Sequence, residues 1–307
     1  MLVSSPVNRL AAFSTKVPPV TELVSIRQAA DTLGVHYMTA YRYVRTGRLP
    51  AERAGSEWRI HRADLRRFRE PSAAPPGRPS RPARDITRAR LEARLLAADE
   101  PGAWAVVESA LAAGATPAAV HLELLGPVLA ELGDQWAAGN LTIADEHRAT
   151  TVAQRVVGRL GPQFVRPGRR RGTVLVGAVA DEHHSLPGAM LADLLRGAGF
   201  AAVDLGANTP AQTFVEEARA TPQLVAVGLG AFIAARRPIV AATVAELRGA
   251  GITVPILVGG RGIPSAEVAR ELGTDGWTGA DGAAAVDAFR AAVGADRSRV
   301  PRESGAQ

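Results

Sequence analysis

Residues 177–188 read GAVADEHHSLPG. An apolar run breaks there into an acid pair, Asp181-Glu182, then an imidazole pair, His183-His184, then Ser-Leu-Pro-Gly. Neutral imidazole is a good transition-metal ligand, and a carboxylate on its second nitrogen orients the ring and raises its basicity. Two spacings offer that pairing, Glu182-x-His184 and Asp181-x-His183. A second cluster, WAAGNLTIADEH, sets Trp136 nine residues ahead of Glu146-His147. An indole can lie over a flat ligand while a carboxylate and an imidazole meet its polar edge. The chain has no cysteine, which removes thiolate metal sites, disulfides and thiol nucleophiles from consideration.

Elements of two kinds carry these clusters. From Thr173 onward, short apolar runs alternate with helical patterns. The runs are 173–180, 201–206, 224–230 and 255–260, with a weak fifth near Trp277. Helices are expected near 188–197, 210–219, 236–249, 265–272 and 282–292. Five such repeats predict a doubly wound, flavodoxin-like parallel sheet over 171–295, which binds ligands at the carboxyl ends of its strands. The first strand does not lead into G-x-G-x-x-G, so a nicotinamide site is not indicated. The third strand ends in Gly228-Leu229-Gly230 and the one lysine is Lys16, which excludes a phosphate-accepting receiver site. Ahead of the sheet, 86–166 shows helical spacing punctuated by Gly102, Gly114 and Gly139, which predicts a four-helix bundle. Thr142 and Asp145 suit a capping box, so the turn before the fourth helix brings Trp136 toward Glu146 and His147.

The front of the chain differs in charge. Residues 1–90 carry seventeen Lys/Arg against seven Asp/Glu, a net of +10, and the remainder nets −4. That is the footprint of a nucleic-acid reader joined to a neutral or acidic body. Ser25 can cap a helix bearing Ile26, Ala29, Ala30 and Leu33, and a second helix begins near Tyr37 with Ala40, Tyr41 and Val44. A hairpin tipped by Gly55-Ser56 and a helix from Arg62 follow, so 21–70 is read as a winged helix-turn-helix, classed as all-α. Thr39, Tyr41, Arg42 and Arg45 are the expected contacts of the second helix with double-stranded DNA, and Arg53 and Arg59 those of the wing. The stretch 71–85, rich in proline and arginine, reads as an extended linker; 1–20 and 296–307 read as tails. No run approaches a membrane span and no signal peptide is evident, so the expected location is the cytoplasm, with no membrane partner.

The front domain resembles the small winged domains of MerR and excisionase type. The α/β part resembles cobalamin-binding domains, in which a His two residues after an acid coordinates cobalt from below and the displaced nucleotide tail runs into the sheet. The segments GAMLADLLRGAGF and VDLGANTP set the register, which makes His184 the implied metal ligand beside Glu182, with Asp181-x-His183 as the competing frame. Two positions depart from the pattern: Pro187 replaces a glycine, and Gly228-Leu229-Gly230, which is expected to leave room but gives no hydroxyl, replaces Ser-x-Thr or Ser-x-Leu where the tail is held. Gly259-Gly260 matches, and small residues there are expected to let a ligand approach closely.

With W-x9-EH ahead of this domain, the chain resembles the adenosylcobalamin-dependent photoreceptor regulators of CarH and LitR type. The resemblance implies that Trp136, Glu146 and His147 cover the adenosyl face of the cofactor. It further implies that the dark, loaded form is a dimer or tetramer gripping DNA, which light disperses. The residue after Trp136 is Ala137, where those relatives carry a histidine able to take cobalt after light acts. The expected protein is a transcription regulator and not an enzyme. The alternatives are a cobalamin or tetrapyrrole sensor without photochemistry, and a corrinoid enzyme subunit.

Overall fold

The computed structural model describes residues 23–33, 35, 37–45, 49–55, 57–69, 81–165, 167–279 and 281–299. The chain divides into two compact units, Met1–Arg78 and Pro79–Gln307, and the division falls inside the stretch read as linker. The terminal tails 1–20 and 300–307 and the linker residues 71–80 lie outside the described set.

The first unit runs β1 (Leu23–Ser25), α1 (Ile26–Leu33), α2 (Tyr37–Arg45), β2 (Glu52–Ala54), β3 (Glu57–His61) and α3 (Arg62–Arg69). Ser25 caps α1 reciprocally: its Oγ accepts from the Gln28 N–H at 3.3 Å, and its own N–H donates to Gln28 Oε1 at 2.9 Å. Ala29, Ala30 and Ala40 are buried with Val44, Leu49, Ile60 and Leu65, small residues allowing α1 and α2 to pack closely. The unit is not all-α. β3 pairs antiparallel with β2 on one side and with β1 on the other, in the order β1-β3-β2. β1 escapes a sequence reading because three residues are too few to show period-two alternation; the edge of β3 decides it. Gly55 turns the hairpin with φ +66°.

In the second unit α4 (Arg81–Leu96) begins inside the stretch expected to be linker. Pro82 lies in the first turn, where its missing N–H has no helical partner to lose. α5 (Glu100–Ala112) starts from Asp99, whose Oδ1 accepts from the Gly102 N–H at 2.9 Å. Gly102 therefore sits in the first turn of α5 and not at a break. The break is at 97–99, where Ala98 takes φ +54°.

The third helix runs as α6 (Pro117–Ala119), a π-helical turn (Val120–Leu125) and α7 (Gly126–Ala137). Pro127 explains the irregular turn. It has no N–H for the Glu123 carbonyl, which instead accepts from Arg88 Nε at 2.8 Å. α8 (Ile143–Leu160) opens on the expected capping box of Thr142 and Asp145.

The sheet strands are β4 (Thr173–Ala178), β5 (Ala201–Asp204), β6 (Leu224–Gly230), β7 (Ile256–Gly259) and β8 (Gly276–Trp277), all parallel in the order β5-β4-β6-β7-β8. Helices α9 (Leu186–Gly197) and α13 (Gly282–Arg299) share one core with the bundle, built on Leu160, Phe164, Val176, Leu195 and Phe289. Helices α10 (Ala211–Ala220), α11 (Arg237–Gly249) and α12 (Ala266–Glu271) contribute to the opposite core, with Phe214, Val227 and Val258. The doubly wound expectation holds; α13 continues to Arg299, into the stretch 296–307 read as tail.

A buried polar joint ties the two layers. His121, in the π-helical turn, is fully buried; its Nε2 lies 3.2 Å from Asp193 Oδ2 on α9, and Asp193 also accepts from Arg196 at 2.8 Å. Asp204 at the end of β5 is half-buried, and burial pushes its carboxyl above the ordinary aspartate value of 3.8 despite the Gly206 N–H and nearby Arg196. A raised acid holds its proton longer folded than unfolded, so stability falls as pH rises past 3.8 through the folded value. Asp204→Asn keeps an oxygen for the Gly206 N–H and removes the buried charge. Thermal unfolding is expected to show this variant more stable than wild type at pH 7 and equal to it near pH 3. A lower midpoint at pH 7 would show that attraction to Arg196 outweighs burial.

Candidate functional site at the strand ends

The loop after β4 is pinned from both flanks. Asp181 takes φ +61° and its N–H donates to Asn208 Oδ1 at 2.8 Å. The Asn208 N–H donates to the Glu182 carbonyl at 2.7 Å, so the β5 loop holds the β4 loop in place. Glu182 is thereby turned inward and is completely buried.

A buried carboxylate is tolerated only when its oxygens are satisfied. Here Oε2 accepts the backbone N–H groups of Phe232 and Ile233 at 2.7 and 3.1 Å, from the loop fifty residues on. Oε1 accepts from the His184 backbone N–H at 3.3 Å and pairs with His184 Nδ1 in a short contact. Burial pushes the Glu182 carboxyl up, but these hydrogen bonds, led by His184 and Phe232, outweigh it and hold the group below the ordinary glutamate value. An ionised Glu182 can only accept, so Nδ1 carries the hydrogen, and in the neutral ring Nε2 is then the nitrogen with the lone pair. The His184 side chain is 53% exposed, which leaves that lone pair free to bind.

The alternative spacing is not assembled. Asp181 and His183 both face solvent, and no hydrogen bond or ion pair joins their side chains.

At the bundle end, Trp136 closes α7 and is 48% exposed. Glu146 accepts from Thr150 Oγ1 at 2.7 Å, and its other oxygen lies 3.6 Å from the exposed His147 Nε2. Both arms of the helical hairpin are tied to the strand-end loops. Asp134, two residues before Trp136, pairs at 2.6 Å with Arg261, which follows Gly259-Gly260. Gln154 on α8 donates to Ser185 Oγ at 3.3 Å, one residue after His184. Neither tie is legible locally, because the partners lie 127 and 31 residues apart.

The glycines depart from the expectation of space left for a ligand. A Cβ on Gly228 would lie 2.8 Å from Phe289 Cζ, so that position makes room for a core ring. At Gly259 the intruder would be Thr278 Oγ1 at 1.8 Å, and at Gly260, with φ +105°, the Ala231 carbonyl at 2.4 Å. Gly230 meets only ordinary contacts, the Phe232 ring among them at 3.6 Å. Three of the four glycines thus serve the protein's own packing.

In the first unit Thr39 is half-buried and Arg45 exposed on α2, whereas Tyr41 packs partly against the core and stacks on Tyr37 at 6.4 Å. The Arg42 side chain lies outside the described residues, as do Gly34, Gly47 and Ser56. On the hairpin, Arg53 lies over the Trp58 ring at 5.7 Å and Arg59 pairs with Glu57 at 2.8 Å. No helix among the described residues is long and apolar enough to cross a membrane.

Comparison with known proteins locates three matches. Residues 23–71 match the helix-turn-helix domain family, and residues 87–160 and 172–290 match two B12 binding domain families. The trimethylamine corrinoid protein 1 of Methanosarcina acetivorans is 32% identical over 132 residues, 42% of this chain and 61% of that protein. The HTH-type transcriptional repressor CarH of Myxococcus xanthus is 33% identical over 135 residues, 43% of this chain and 44% of that protein. The matched segment spans about three fifths of the length of the first of these relatives and less than half of the second. Among solved structures, the Methanosarcina barkeri monomethylamine corrinoid protein aligns with a TM-score of 0.59 at 20% identity, over 67% of this chain and 99% of its own, a likeness of fold. The chain thus joins a segment that matches the helix-turn-helix family to segments that match B12 binding domain families, and the matches support a cobalamin-type cofactor.

Proposed function

We propose that this protein is a cytoplasmic DNA-binding transcription regulator that takes adenosylcobalamin and responds to light through its assembly state, with no catalytic step of its own. The observation that carries the cofactor reading is the Glu182–His184 pair: a buried, four-times-bonded carboxylate that leaves one imidazole nitrogen available at the strand ends. One axial nitrogen is what a metal already held by a macrocycle needs from a protein. His184 is the proposed cobalt ligand, and Trp136, Glu146 and His147 the cover for the opposite face. Bound adenosylcobalamin would supply a light-labile cobalt–carbon bond. The Asp134–Arg261 and Gln154–Ser185 ties supply the seating of the bundle on the strand ends, the contact that a change of cofactor state would disturb.

On the DNA side, α2 is the proposed recognition helix, with Thr39, Arg42 and Arg45, and the β2–β3 hairpin supplies Arg53 and Arg59. Joining several such units in one oligomer raises avidity without new contacts. The test is a gel shift on operator DNA with adenosylcobalamin, in darkness and after green light, with sedimentation on the same samples. A dark-only oligomer that shifts DNA supports the reading; cofactor binding with no change of assembly or DNA affinity on illumination leaves a sensor without photochemistry.

Arg42→Ala is expected to cost roughly 1–3 kcal/mol on the operator and to relax preference at one base pair. Arg59→Ala, whose charge is shared with Glu57, is expected to weaken operator and scrambled duplex alike. Titration of both duplexes measures this, and equal losses for the two variants on both duplexes would remove α2 from base reading.

The likeness to trimethylamine corrinoid proteins favours a second reading, a corrinoid-carrying enzyme subunit. The helix-turn-helix match at 23–71 supports the first reading, since a carrier subunit has no need of operator DNA.

A further inference from the structure

The carboxyl end of β6 shows glycine at alternate positions, Gly228 and Gly230, and therefore on one face. Phe289, fully buried, closes the first. Phe232 continues past the strand end, and its Cε2 lies 3.6 Å from where a Cβ on Gly230 would stand. Its ring centroid is 5.5 Å from that of His184, tilted by 43°. One half-buried phenyl ring thus spans from the glycine floor to the proposed metal ligand. The main chain of Phe232 has a separate task, holding Glu182 Oε2 through its N–H. Substitution of the ring leaves that hydrogen bond available.

Resting on the corrinoid reading, we infer that the Phe232 ring is a gate that selects corrinoids by what hangs beneath the macrocycle. A nucleotide base displaced from cobalt by His184 stays tethered to the macrocycle, so it has to lodge beside the imidazole that displaced it. Position 230 offers no side-chain bulk, and the Phe232 ring stands between it and His184. A corrinoid carrying that base binds only the fraction of molecules whose ring has swung out. A corrinoid without the base pays no such tax, because apparent affinity falls in proportion to the competent fraction.

The experiment compares cobalamin, which carries the base, with cobinamide, which lacks it. Binding to the full-length wild type, Phe232→Ala and Phe232→Trp is followed by the absorption change on imidazole coordination, in rate and in affinity. Phe232→Ala is expected to speed and tighten cobalamin binding roughly tenfold while cobinamide changes by less than about twofold. Phe232→Trp is expected to shift cobalamin in the opposite direction and to spare cobinamide. Should the alanine variant not fold by circular dichroism, Phe232→Leu, smaller and retaining the N–H, takes its place. Equal shifts for both corrinoids, or no shift for either, would overturn the gate while leaving the cofactor reading intact. Failure of the wild type to bind either corrinoid would overturn both.

Discussion

His184→Ala is expected to reduce corrinoid binding by more than about a hundredfold, while His183→Ala leaves most of it. The two histidines are neighbours in sequence with the same kind of acid two residues earlier, yet their surroundings differ. His184 Nδ1 is engaged by a carboxylate that two distant backbone N–H groups hold in place; His183 stands in solvent beside an exposed Asp181. Glu182→Gln tests the same point from the other side. A side-chain amide has one acceptor oxygen, so the buried position cannot satisfy both the Phe232–Ile233 N–H pair and the His184 ring. The variant is expected to lose about 1–3 kcal/mol of apo-protein stability and roughly ten- to a hundredfold in corrinoid affinity. Dialysis against adenosylcobalamin with a spectral readout, alongside urea unfolding of the apo-protein, measures both. Binding retained by the His184 variant and lost by the His183 variant would move the ligand role to the other frame.

Gly260→Ala is expected to cost roughly 2–4 kcal/mol and to weaken corrinoid binding as well. Two penalties add at this position. The backbone takes φ +105°, which side chains with a Cβ rarely adopt, and the new Cβ would stand 2.4 Å from the Ala231 carbonyl oxygen. That carbonyl cannot yield freely. It accepts the Gly262 N–H at 3.1 Å, and the residue after it is Phe232, whose N–H holds Glu182. Displacing Ala231 therefore loosens the donor pair that orients His184. Gly139→Ala is the control: φ is +76° but no atom lies within 4 Å, so strain acts without crowding and the cost is about 1 kcal/mol. Denaturant unfolding of the pair decides the matter. Equal losses would show that crowding at Ala231 contributes nothing.

Most of the elements and their order are legible in the chain without its tertiary structure. Apolar period two and period 3.6 are local properties, and so is a capping box such as Thr142 with Asp145, so the bundle helices and the five β/α repeats are written where they form. The same reading narrows the candidate site to one dodecapeptide and one W-x9-EH stretch. Between Glu182-x-His184 and Asp181-x-His183 the spacing alone decides nothing, and only the register that the resemblance takes from GAMLADLLRGAGF and VDLGANTP points to His184. Tertiary structure assembles one of the two pairs, because burial of a carboxylate needs donors and, besides those of His184, two arrive from residues 232 and 233. The glycines show the same limit. A glycine states that a Cβ would be unwelcome, and only the packed structure shows that Phe289, Thr278 and the Ala231 carbonyl are what it would strike. The strand β1 and the π-helical turn at Val120–Leu125 were likewise invisible, one set by the free edge of β3, the other by an Arg88 side chain reaching a carbonyl that Pro127 cannot serve. In each case the deciding partner lies far along the chain, where periodicity carries no information and the balance of satisfied polar groups against close packing does.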